Sequence, residues 1–279
     1  MVKGPVASRV LLGFELRELR EAAGKDVEAV VTHTGWYATK IYRSERGEGA
    51  LAAAEIDKLL AFYGASKATA TRIRDIAAQA RRRGSYGKVP DWSRQYFGLE
   101  QDATELRFHQ GELVPGLFQT EAYARALIST SKTVAPADVD DVVQSRIRRR
   151  SLLTGKNPPE VHLVLGEAAI HCQVGGPEAL VEQINHLIDV AKLPNVTLQL
   201  LPFAVGAHAA LGDGFSLLTL EIGGGPSKWV YVSDLNRGEC RADPAQVRTY
   251  QLTFDSLVVN ALGEGETLAR LRQTRDGLR

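Results

Sequence analysis

The run Gly84-Ser85-Tyr86-Gly87-Lys88-Val89-Pro90 places two glycines and a proline within seven residues, and a helix cannot continue through it. Helical periodicity prevails before it, and strand and helix patterns alternate after it. A boundary is therefore expected at 84–92, between an N-terminal domain of residues 1–83 and a C-terminal domain of residues 93–279. Charge divides at the same place. Residues 1–88 hold 16 Lys and Arg against 10 Asp and Glu, a surplus of six, and the rest carry a net −5, so the overall +1 conceals a basic head on an acidic body. That segregation fits a head that binds a polyanion, and it also fits a solvated basic surface.

Five helices are predicted before the boundary. Leu11, Leu12, Phe14, Leu16 and Leu19 recur at helical spacing up to Gly24. Asp26 caps a short helix over 27–33 that Gly35 breaks, and a third covers 38–45, ending before Gly47. Ile56, Leu59, Leu60 and Phe62 mark a fourth, and residues 68–83 form a fifth, rich in alanine and arginine. Beyond the boundary, strands are expected at 161–165 and 196–201 with an amphipathic helix over 177–192 between them, a right-handed parallel unit. Further strands at 215–221 and 229–235 flank the turn Gly223-Gly224-Gly225-Pro226, and helices return over 245–262 and 264–273. The expected fold is thus an all-α N-terminal domain followed by an α/β or α+β domain with a mixed sheet.

Residues 26–47 supply, in order, a positioning helix, a glycine turn and a second helix whose N-terminal side chains can enter a major groove. The segments Leu16-Arg17-Glu18-Leu19-Arg20-Glu21-Ala22-Ala23-Gly24, Gly35-Trp36 and Lys40-Ile41-Tyr42-Arg43-Ser44-Glu45-Arg46-Gly47 resemble the lambda-repressor-like helix-turn-helix regulators in their actinobacterial form. The resemblance implies that Ala38, Thr39 and Arg43, with Tyr42 in addition, face base edges, and that Tyr37, Lys40 and Arg46 lie near phosphates. It also implies an ion pair between Arg20 and Glu45 that ties the first helix to the recognition helix. Arg43 is the strongest candidate for readout, because a guanidinium can donate two hydrogen bonds to guanine O6 and N7. An ordinary solvated arginine is the competing reading. The sequence departs from the family at Tyr37, where a capping Ser or Thr is usual, and at Val31, Thr34 and Ser44.

In the body, Tyr96-Phe97-Gly98-Leu99-Glu100 and the stretch from Glu112 through Val114-Pro115-Gly116-Leu117-Phe118-Gln119-Thr120 to Leu127 resemble the C-terminal domain of the WhiJ-like regulators. Gly166-Glu167-Ala168, Pro194-Asn195-Val196-Thr197, Leu201-Pro202-Phe203 and Gly206-Ala207-His208 continue that resemblance. It implies a body that binds a small partner protein from a neighbouring gene, in some cases as its antitoxin. Two residues are read as ligand or partner contacts, Gln119 and His208. Against this, Val114-Pro115-Gly116 followed by Gln119-Thr120 also reads as a turn feeding a capped helix. The glycines around His208 open a loop to a ligand or simply serve turns.

Enzyme and metal readings find little support. GxSxG, P-loop, HExxH and dinucleotide-binding fingerprints are absent, so no catalytic residue, cofactor or metal is expected. Cys172 and Cys240, lacking metal spacing, are read as reduced packing residues. Arg146, Arg148, Arg149 and Arg150 read as a solvated face or ion-pair ladder rather than an anion site. With no long apolar run or signal core, a cytoplasmic chain without membrane association is expected. Its partners would be duplex DNA, a second copy in a homodimer and the small partner protein. The alternative is an antitoxin-like interaction module whose degenerate helix-turn-helix binds DNA weakly or not at all.

Overall fold

The computed structural model describes residues 4–84, 86–87, 89–235 and 237–278, so Ser85 and Lys88 of the expected linker lie outside the described residues. The chain divides into two compact units, the first comprising residues 1–85, 97–102 and 220–227 and the second the remainder.

The first unit begins with α1 (Pro5–Ala22), α2 (Val27–Thr34), α3 (Ala38–Glu45), α4 (Ala53–Phe62) and α5 (Lys67–Ala80). Helix α1 starts earlier than its leucine spacing indicates, because Pro5 occupies the first helical turn, where its missing N–H costs nothing. Asp26 caps α2 by accepting the Ala29 N–H at 2.7 Å, and Ser66 caps α5 through the Thr69 N–H. Leu12, Leu16, Val30, Ile41, Ile56 and Ile73 make the buried core, while Phe14 points outward. Gly13 lets α1 and α3 approach: a Cβ there would collide with the carbonyls of Ser44 and Glu45. Gly47 is doubly constrained, with φ at +71° and a would-be Cβ 2.6 Å from the Val10 Cα. Gly47→Ala is accordingly expected to cost about 2 kcal/mol of stability, read from the urea midpoint.

After α6 (Arg94–Asp102), the chain builds a six-stranded mixed sheet in the order β3-β2-β1-β4-β5-β6. Its strands are β1 (Glu105–Gln110), β2 (Glu160–Gly166), β3 (Val196–Leu201), β4 (Phe215–Ile222), β5 (Gly225–Ser233) and β6 (Gly238–Arg241). Strands β1, β2 and β3 run parallel, and β1 pairs antiparallel with β4. The other helices are α7 (Glu121–Ser129), α8 (Val139–Arg148), α9 (Pro177–Val190), α10 (Pro244–Asn260) and α11 (Glu264–Gly277). Helix α9 connects β2 to β3 as expected. The turn between β4 and β5 is shorter than predicted. Gly223 and Gly224 alone form it, both at positive φ, and Gly225 and Pro226 already belong to β5.

Candidate functional site

The α2-turn-α3 segment is set by its glycines. Gly35 ends α2 at φ +74°, and α3 then starts at Tyr37, whose side chain makes no capping hydrogen bond. Thr34 is buried and keeps its hydroxyl satisfied, donating to the Val30 carbonyl at 2.7 Å and accepting the Trp36 N–H at 3.2 Å. Ser44 likewise donates to the Lys40 carbonyl at 2.6 Å, and Val31 packs against the core. The unusual residues are thus absorbed locally.

Only Ile41 of α3 is buried, so Ala38, Thr39, Tyr42 and Arg43 are exposed, as are Tyr37, at 84%, and Arg46. The far end of α3 is anchored as the resemblance implies: Arg20 Nε and Nη2 donate to the two Glu45 oxygens at 2.6 and 3.0 Å, and Nη1 donates to the Lys25 carbonyl at 2.9 Å. Both side chains are nearly buried, and the hydrogen bond to Glu45 raises the Arg20 pKa despite desolvation. Lys40 differs from expectation. Its ammonium is paired with Glu55 and lies 4.1 Å from the Trp36 ring centroid, and that hydrogen bond lowers the Glu55 pKa. Glu48 stands between the other two cations, 3.6 Å from Arg43 and 2.8 Å from Arg46. Neither Glu48 nor Glu55 was singled out in the sequence, although Glu48 lies within five residues of both arginines.

In the body, Gln119 is an internal strut. It is 2% exposed, its Nε2 donates to the Val114 carbonyl at 2.7 Å, and its Oε1 accepts from Arg146 Nη1 at 2.9 Å. Thr120 caps α7 by accepting the Tyr123 N–H, which supports the turn-and-cap reading. Of the arginine run only Arg148 is exposed as a solvated face requires. Burial, with Arg149 second, lowers the Arg146 pKa to about 10, Arg149 stacks over Tyr96, and Arg150 Nη2 meets His186 Nδ1 at 3.1 Å. The packing role read for the cysteines fails at Cys172, which is exposed. Cys240 is half-buried, and burial, with Glu239 second, pushes its thiol up to about 12.

His208 does line a cavity. About 430 Å³ of space lies where the parallel strands β1, β2 and β3 end, bounded by residues 109–113, 166–168 and the 201–214 loop. Gln119 is not part of it. His109 is, and sequence reasoning missed it along with β1, although Leu106 and Phe108 alternate as a strand should. Its Nδ1 lies 3.1 Å from the Val164 carbonyl, while its Nε2 is buried without a hydrogen-bond partner. Glu167 closes one side, accepting the Phe203 N–H at 2.7 Å and pairing with Arg270.

Residues 11–73 match a family described as a helix-turn-helix domain, a non-enzymatic family that points to a DNA-binding regulator. No curated protein and no solved structure matches the chain. No helix among the described residues is long and apolar enough to cross a membrane. Residues 93–273, well over half the chain, match the second family. The chain belongs to the family described as a domain of unknown function (DUF5753), joined here to an N-terminal helix-turn-helix domain.

Proposed function

We propose that this chain is a sequence-specific transcriptional regulator, cytoplasmic and homodimeric, that lays α3 in the major groove and uses its C-terminal domain to bind a small partner protein or ligand. The observation that carries the reading is the exposed face of α3, on which Thr39, Tyr42 and Arg43 stand free of the core while Arg20 and Glu45 anchor the helix from behind. Ala38 adds a small surface to that face, and Tyr37 and Arg46 flank it at the level of phosphates. Domains at 1–83 and 93–279, with a connector at 84–92, fit this division of labour.

Arg43→Ala is expected to weaken binding to the chain's own upstream DNA by tenfold or more, in line with about 1–3 kcal/mol for a bidentate guanine contact. Gel retardation at low salt measures it. A wild-type chain that retards no upstream fragment overturns the reading. Homodimerisation is checked by sedimentation of the full chain.

A second reading, an antitoxin-like module of the WhiJ-like, actinobacterial type, draws support from Glu48 and Glu55. These carboxylates occupy the very cations that would otherwise meet phosphates. Under it, the full chain carrying Arg43→Ala still co-purifies with its neighbouring gene product, and wild-type DNA binding is negligible at any salt concentration.

A further inference from the structure

Helix α10 carries apolar residues on two faces. Val247, Phe254 and Leu257 are buried and pack with Phe215 of β4 and Val230 of β5, so this face seats the helix on its own domain. On the opposite face Ala245, Leu252 and Val259 recur every seven residues, all exposed, with Leu252 at 57% and Val259 at 83%. The core of the domain does not use that second stripe. An interval of seven keeps side chains on one line along a helix, which is the pattern of a helix–helix seam.

The polar residues beside the stripe narrow what can cover it. At about 100° per residue, Arg248 and Asp255 fall about 40° and about 60° to one side of Leu252, and Thr249 and Ser256 about 60° and about 40° to the other. A second α10 laid antiparallel, with a two-fold axis at Leu252, keeps each residue on its own side of the seam and reverses its height. Leu252 then meets its own copy, and Ala245 meets Val259. Arg248 comes within one residue's rise, about 1.5 Å, of the level of Asp255 in the other copy, and Thr249 stands likewise near Ser256. Both charges are available. Arg248 is exposed and has no hydrogen-bond or ion-pair partner among the described residues. Asp255 meets Arg107 through Oδ1 at 3.2 Å, yet its side chain is still 61% exposed. A parallel pair would instead set Arg248 level with Arg248 and Asp255 level with Asp255, bringing like charges together.

We propose that α10 is the surface through which two copies of this chain associate, antiparallel about Leu252, with Arg248 of each protomer paired to Asp255 of its partner. The proposal rests on the reading of the chain as a homodimer and deepens it by naming the interface. Helix α10 has 17 residues and is about 25 Å long, so one such helix pair buries less than a standard interface of about 1,200 Å² or more. The association is therefore expected to be reversible and to depend on concentration.

The test uses the full chain without DNA, carrying Cys172→Ser to remove the exposed native thiol, and a short bis-maleimide cross-linker. That parent is expected to give no covalent dimer. Adding Leu252→Cys is expected to give one, whereas Val259→Cys alone gives none, although position 259 is the more exposed, because it lies about 21 Å along the helix axis from its own copy. Ala245→Cys combined with Val259→Cys restores the covalent dimer. In sedimentation velocity, Leu252→Glu is expected to raise the dimer dissociation constant tenfold or more, since it sets two like charges on the axis. Every substituted side chain is exposed, so the variants keep the fold. Cross-linking at 252 and 259 alike overturns the antiparallel register. A dimer that withstands Leu252→Glu and yields no cross-link at 252 overturns this surface while leaving a homodimer. A wild-type chain that sediments as a monomer at every concentration overturns both. Gel retardation is a separate measurement, so failure here does not touch the DNA-binding reading.

Discussion

Glu45→Ala is expected to destabilise the N-terminal unit by about 3–5 kcal/mol, the range for removing one partner of a buried ion pair. The reason is Arg20. It is 8% exposed, and without Glu45 its Nε and Nη2 keep only a long 3.4 Å contact from Nη2 to Glu21, while Nη1 retains the Lys25 carbonyl. The guanidinium cannot shed its proton at any ordinary pH, so the unpaired charge persists. Hydrogen exchange at the amides of α1 and α3 reads the loss directly, as earlier exchange in the variant. The paired replacement Arg20→Met with Glu45→Leu should recover most of it, because no charge is then stranded. If Glu45→Ala alone leaves exchange in α3 unchanged, the pair is not what holds the recognition helix against α1.

The second large effect is expected in the body. Gln183 of α9 is fully buried, its Oε1 accepts the Thr120 N–H at 2.8 Å, and its Nε2 donates to the Phe118 carbonyl at 2.8 Å. It thereby satisfies two backbone groups in the turn that feeds α7. Gln183→Leu keeps the volume and strands both groups, for an expected loss of about 4 kcal/mol from two unsatisfied buried partners. Gln183→Glu separates hydrogen bonding from packing. At neutral pH its carboxylate offers the Phe118 carbonyl no donor and is buried as a charge. Protonation restores one donor and one acceptor, so this variant should gain stability as pH falls. A Gln183→Leu chain with an unchanged urea midpoint would refute the role.

What could be read from the sequence follows where the backbone is punctuated. Helix α3 has the predicted bounds of 38–45 because Gly35 and Gly47, both at positive φ, flank it closely. Strand β3 agrees for a similar reason, a compact alternating run after Pro194 and Asn195. Strand β6 spans only Gly238–Arg241 and has no apolar alternation to betray it. It is the return strand of a local hairpin with β5, Ser233 facing Gly238, and no Asn-Gly or Asp-Gly pair marks the turn. The same holds for side chains. Arg20 and Glu45 were expected as a pair because a motif links them, whereas Lys40 and Glu55, joined across the α3–α4 connection, carry no such signal. Arg146 was misread because nothing in a run of arginines tells which one the fold turns toward Gln119.

The position of β1 in the sheet dictates an order of events during synthesis. Its pairing with β2 joins residues 55 apart, such as His109 and Val164, while its other edge waits for β4, with Glu105 and Thr219 separated by 114 residues. Helices α1 to α5 contact one another within a short span and can close early on local contacts. A ribosome-bound chain that has emerged only as far as β3 therefore carries helices α1 to α5 and a three-stranded parallel sheet with one edge of β1 still open, and still lacks the residues 220–227 that complete the first unit. Any factor that pauses translation before β4 would lengthen the life of that open edge and, with it, the chance of pairing with the wrong strand.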